Sequence, residues 1–178
     1  MVWNMETCRK YWKKIIGLIV ILICGIQIFR YIFPPFEITP GTITVQEDTG
    51  IELEVKHSLG IYEHVTHYGT HDEVKHFGGK YEYILSNNTS DDMGYGNAYI
   101  LQVKRGAEWK NVMEVVEVGY TLEMHHLPTN SSVSGDLNLN FIYGKLPVGK
   151  YRIVKDVSLY DSVGGPIYNI AGEFRVWF

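Results

Sequence analysis

An all-β antiparallel sandwich behind one N-terminal membrane helix is the architecture this sequence predicts, and three observations predict it. Residues 15–33 form a predominantly apolar run. From about residue 42 onward, apolar and polar residues alternate in short segments separated by turn-forming clusters. Past residue 40 no stretch sustains the 3.6-residue apolar period of an amphipathic helix.

The apolar run, Ile15 to Phe33, is 19 residues long, about 28 Å as a helix and therefore enough for a bilayer core. Thirteen of its residues are Ile, Leu, Val or Phe. At about −0.5 kcal/mol each they outweigh Gln27 and Arg30, the latter close enough to the end to extend its guanidinium to the interface. Pro34 and Pro35 stop the helix. Arg9, Lys10, Lys13 and Lys14 precede the span, so residues 1–14 are expected in the cytoplasm, 15–33 in the membrane, 34–41 as a linker and 42–178 as an extracytoplasmic domain. Three rival readings fit less well. A cleaved signal peptide lacks a small-x-small site after the apolar region. Acylation of Cys24 lacks the small residue before it, although Gly25 suits the position after. A buried core helix does not explain the basic flank.

Charge supports the division. The formal net charge of −4 is an average over unlike parts. Residues 1–33 carry five Lys or Arg against Glu6, and the rest holds 11 basic and 19 acidic residues, a net of −8. So acidic a domain excludes nucleic acid as a partner. Both cysteines, Cys8 and Cys24, precede it, so it must be stable through its core without an internal disulfide.

The strands follow in order. ITVQ (43–46) and IELEVK (51–56) flank Asp48-Thr49-Gly50 and read as a hairpin. KYEYILSN (80–87) alternates and ends in an Asn/Ser/Asp loop. NAYILQVKR (97–105) turns at Gly106 into EWKNVMEVV (108–116). GYTLEMHHL (119–127), DLNLNFIYG (136–144), KYRIVKDVSL (150–159) and IAGEFRVWF (170–178) complete the set. Tyr151 opens a strand just after the Leu146-Pro147-Val148-Gly149 turn, which predicts a tyrosine whose hydroxyl bonds backward to main chain. Trp109 is expected as a core tryptophan, with an exposed binding anchor as the alternative.

YILSNNTSDDMGYGNAYILQVKRGAEWKNV (83–112) and FIYGKLPVGKYRIVKD (141–156) together resemble a family of bacterial immunoglobulin-like domains of small membrane-anchored or lipoprotein-type surface proteins. The resemblance rests most specifically on Tyr143, Gly144, Leu146, Gly149 and the run Tyr151 to Lys155. It implies an immunoglobulin-like antiparallel β-sandwich and a non-catalytic binding, adhesion or envelope-sensing module, its partner an extracellular or envelope protein or polymer. It brings no catalytic, cofactor-binding or metal residues.

Residues 57–78 depart from that family's pattern in length and histidine content. His57, His64, His67, His71 and His76 lie there, and three of them, His64, His67 and His71, would share a helix face if a helix formed. Val65, Thr66, Tyr68, Gly69 and Thr70 oppose a helix, so a solvated polar hairpin or loop is the primary expectation. A metal-binding surface protein using residues 57–76 is the alternative function. No nucleophile motif or phosphate-binding glycine loop is present.

Overall fold

The computed structural model describes the backbone of residues 5–32, 36–64, 74–162 and 164–177, and the side chains of 11–29, 36–58, 80–162 and 164–177. Two compact units result, Met1–Pro35 and Phe36–Phe178. In the first, helix α1 (Met5–Ile32) contains one window, Tyr11–Phe29, long and apolar enough to cross a bilayer.

The second unit is two antiparallel sheets. Strands β1 (Ile38–Pro40), β6 (Glu108–Val112), β5 (Ile100–Arg105) and β9 (Gly149–Leu159) lie side by side in that order. Beyond β5, β9 continues against β4 (Met93–Tyr95), which carries β7 (His125–Leu127). The remaining edge of β9 pairs along its length with β10 (Ile167–Val176). The smaller sheet orders β2 (Ile51–His64), β3 (Val74–Asn87) and β8 (Ser131–Leu137). Pairing of β2 with β3 runs from Ile51 opposite Asn87 to His64 opposite Val74.

Two-residue alternation decides which side chains go inside. Ile51 and Leu53 are buried while Glu52 and Glu54 are exposed; Tyr81, Tyr83 and Leu85 point the same way from β3. They meet Leu101, Val103, Tyr151, Ile153 and Phe174 of the larger sheet in one apolar core. Tyr81 stands edge-on to Phe174 at 5.5 Å between centroids, and Phe174 lies 5.7 Å from Tyr151. The sheets close at Gly172 of β10. A Cβ there would come within 2.5 Å of the Leu53 carbonyl oxygen, so only glycine permits this approach.

Several expectations are corrected. Residues 43–46 do not form a hairpin with 51–56. The turn at Asp48 and Gly50 exists, both with positive φ, but β2 takes the 14-residue β3 as its partner. Gln46 instead joins β10, donating its N–H to the Asn169 carbonyl at 3.0 Å and accepting the Asn169 N–H at 2.6 Å. Local alternation marks a strand without choosing its neighbour. Residues 36–41, expected in the linker, belong to the domain: Phe36 is buried and β1 pairs with β6. The strand expected over 136–144 is displaced. Strand β8 occupies 131–137 and a helical turn, α2 (Leu139–Ile142), follows. Leu139, Ile142 and Tyr143 have helical spacing, and all three are buried, whereas Phe141, which alternation would bury with Leu139, is exposed. Of 119–127 only His125–Leu127 is strand, and β4 falls where a loop was expected.

Gly50 has φ of 75°, and an added Cβ would meet Thr89 Cγ2 at 3.0 Å. Gly50→Ala is therefore expected to cost about 1–2 kcal/mol in a denaturant titration. An unchanged midpoint would show that the turn relaxes freely.

Candidate functional site

The turn ending at Gly149 carries the chain into β9, and Tyr151 bonds across it. Its hydroxyl donates to the Pro147 carbonyl at 2.8 Å, as the sequence predicts, with the ring wholly buried. Tyr143 is a second such clasp: its hydroxyl accepts the Leu101 N–H at 3.3 Å and donates to the Tyr99 carbonyl at 3.5 Å. Burial raises the pKa of both Tyr99 and Tyr143 above the ordinary tyrosine range. Both stay protonated, and the hydroxyl of Tyr143, like that of Tyr151, holds main chain in place.

Lys155 is a cation inside the core, 1% exposed. Its position follows from topology. Strand β9 pairs with β5 at Tyr151–Val154 and with β4 at Val157–Leu159, so residues 155 and 156 face the break between β4 and β5. Carbonyls in that break lack ladder partners, and Lys155 Nζ donates to two of them, Gly96 O at 2.9 Å and Ala98 O at 3.1 Å. The ammonium also lies 5.0 Å from the Tyr83 ring centroid and 5.9 Å from those of Tyr95 and Tyr99. Burial pulls its pKa down to about 8, with Asp156 opposing that shift. Asn87, also wholly buried, acts similarly. Its amide donates to the carbonyls of Asp91, Leu127 and Pro128, and its oxygen accepts from Thr89.

Trp109 corrects the core expectation. On β6, Val112 points inward, so residue 109 has the opposite parity and lies on the outer face, half-buried. Around the indole stand Arg152 Cζ at 4.5 Å, Lys104 Nζ at 5.0 Å and Lys150 Nζ at 5.7 Å. The register explains the convergence: Trp109 pairs with Lys104 across β6–β5, and Lys150 pairs with Arg175 across β9–β10. Arg152 Nε donates to Gln102 Oε1 at 2.6 Å, and Gln102 in turn donates to Asn111 Oδ1 at 2.7 Å. Glu173 pairs with Lys150. Beyond them Arg175 lies 5.6 Å from the Trp177 ring, which is 64% exposed. Lys104, Lys150, Arg152 and Arg175 thus share one face with two indoles.

The histidines disperse. His57 stacks on Tyr81 with centroids 4.4 Å apart, and burial lowers its pKa. His64 and His76 stand on β2 and β3, two pairs apart in the hairpin, so helical spacing does not govern them. His67 and His71 lie outside the described residues. Among the described residues no three His, Cys, Asp or Glu side chains converge for a metal. His126 pairs with Asp92 at 3.0 Å, and the same carboxylate accepts the Thr129 N–H at 2.9 Å, a loop clasp without a nucleophile. A recess of about 300 Å³ is lined by Tyr83, Asn97, Tyr99, Tyr120 and Asn138 among others.

A disulfide-free antiparallel sandwich, with a tyrosine corner and with Tyr143, Lys155 and Asn87 bonded inward to main chain, defines the class of protein. The family described as "Bacterial Ig-like domain" matches residues 63–175, and the chain belongs to it. No curated protein matches the sequence. Solved structures do, among them "X-ray structure of Northeast Structural Genomics Consortium target SoR45". It is 15% identical, with 73% of this chain and 88% of that one covered and a TM-score of 0.39.

Proposed function

We propose that this protein is a non-catalytic surface module held to a membrane by residues 15–33. Residues 1–14 lie in the cytoplasm, and the Ig-like domain works outside, contacting an extracellular or envelope protein or polymer through a sheet face. The observation that carries the reading is the contrast between two sets of polar groups. Tyr143, Tyr151, Lys155 and Asn87 are bonded inward to main chain. The cations and indoles around Trp109 face outward on a domain that is otherwise acidic. Groups bonded inward stabilise a fold, whereas aromatic and arginine side chains presented together are the usual anchors of recognition.

The test is made in intact cells expressing the full chain. External protease is expected to remove the domain, while alkaline carbonate leaves the protein in the membrane fraction. A protected domain, or release by carbonate, overturns the topology.

A further inference from the structure

We propose that the outer face centred on Trp109 binds an acidic polysaccharide, with sugar rings packing on indole and carboxylates pairing with the surrounding cations. This deepens the reading of the chain as a surface module and rests on it.

The face is a row rather than a spot. Trp109 on β6 is opposite Lys104 on β5. Val103 pairs with Tyr151, so the next position brings Lys104 beside Lys150 on β9, which pairs with Arg175 on β10. Four adjacent strands therefore carry Trp109, Lys104, Lys150 and Arg175 across about 14 Å, with neighbouring strands about 4.8 Å apart. Arg152 projects from one neighbouring row toward the same indole, and Trp177, two residues on from Arg175, flanks the row on its other side. A binding surface of that length suits a chain ligand better than a single small molecule.

Charge selects the chemistry. Outside the N-terminal 33 residues the chain has a net charge of −8, so four cations gathered on one face run against the rest of the surface. Among them stands one carboxylate, Glu173, paired with Lys150. Such a face focuses a field that attracts anions while the surrounding acidic surface repels them elsewhere. Arginine, planar and weakly hydrated, favours carboxylates in bidentate geometry. The indoles add a second requirement. Trp177 is largely exposed, and Trp109 keeps part of its surface open to solvent. Flat apolar surface next to cations suits a ligand that offers apolar ring faces and charge in each repeat. An acidic sugar polymer does so; inorganic polyphosphate supplies only charge, and a lipid headgroup surface is not a chain that follows a row.

The test uses the full chain in detergent micelles and immobilised polygalacturonate, a homopolymer of an acidic sugar. Its fully methyl-esterified form, polyphosphate and anionic phospholipid vesicles serve as comparisons. Saturable retention on polygalacturonate is expected, with loss on the methyl ester. Lys104→Ser with Arg175→Ser, both away from the core, is expected to weaken retention about tenfold or more, as removal of two partly screened charge contacts implies. Trp109→Ala is expected to weaken it by a similar factor, with unchanged circular dichroism confirming that the variant folds.

Equal retention on the methyl ester, or no effect of the double substitution, overturns the proposal. Preference for polyphosphate or vesicles overturns the sugar assignment. Carbonate extraction of the same protein separates the two readings: an anchored protein without retention sinks this site, whereas retention by an extractable protein sinks the anchor.

Discussion

Tyr151→Ala is expected to lower the unfolding free energy by about 3–5 kcal/mol, the range for deleting a wholly buried aromatic ring. The ring packs in the core beside its cross-strand neighbour Phe174, 5.7 Å between centroids, and its hydroxyl satisfies the Pro147 carbonyl. Gly149 leaves the room this needs: a Cβ there would press on the Tyr151 ring at 3.1 Å. Tyr151→Phe separates the two roles. It keeps the ring and leaves a buried acceptor without its donor, a loss of about 1–2 kcal/mol. Urea titration of the full chain in detergent, followed by tryptophan fluorescence, measures both. If phenylalanine matches the native residue to within the error of the titration, the hydrogen bond contributes nothing and the corner is held by packing alone. If alanine costs as little as phenylalanine, the ring is not the filler the geometry implies.

Residue parity made much of this domain legible from the sequence. In KYRIVKDVSL, positions 151, 153, 155 and 157 share one face, and all four are buried. The same count that places Tyr151 and Ile153 inside places Lys155 inside, so the buried cation was readable once the strand was accepted. Parity also places Trp109 opposite to Val112, and hence outside, although tryptophan's size argues for a core position. What parity could not supply was partnership. IELEVK alternates equally well beside 43–46 or beside 80–87, and only the long pairing with β3 decides. Nor did it anticipate the helical turn at Leu139–Ile142, where alternation from Leu139 would bury Phe141 and the turn buries Ile142 instead. The outer face shared by Trp109 and the four cations depends on two hairpins distant in sequence, β5–β6 and β9–β10, coming into one register. No local pattern contains that information.

Lys155 makes stability depend on pH in a direction opposite to that of a paired surface lysine. Its pKa in the fold is pulled down to about 8 from an ordinary 10.5. Between those values the unfolded chain binds more protons than the folded one, so unfolding free energy rises with pH through that window. Below pH of about 8 both states are protonated and this group gives no slope. The full gain approaches about 3 kcal/mol, the linkage value of the shift. The tyrosines oppose it from about pH 10 upward. Burial raises the pKa of Tyr83, Tyr95, Tyr99, Tyr120 and Tyr143 in the fold, so the unfolded chain ionises first and stability falls. The expected profile therefore climbs above pH 8, peaks near the ordinary tyrosine range and then declines. Lys155→Met isolates the cause. At neutral pH it removes a desolvated charge but strips the Gly96 and Ala98 carbonyls of their donor, effects of similar size and opposite sign. Its midpoint at pH 7 is thus a weak test, whereas its pH profile is a strong one. The rise between pH 8 and 9.5 is expected to vanish in Lys155→Met while the decline above 10 persists. Urea titrations across that range measure both profiles. A rise of equal size in the methionine variant would mean that another group titrates there and that Lys155 is already neutral, or fully solvated, in the fold.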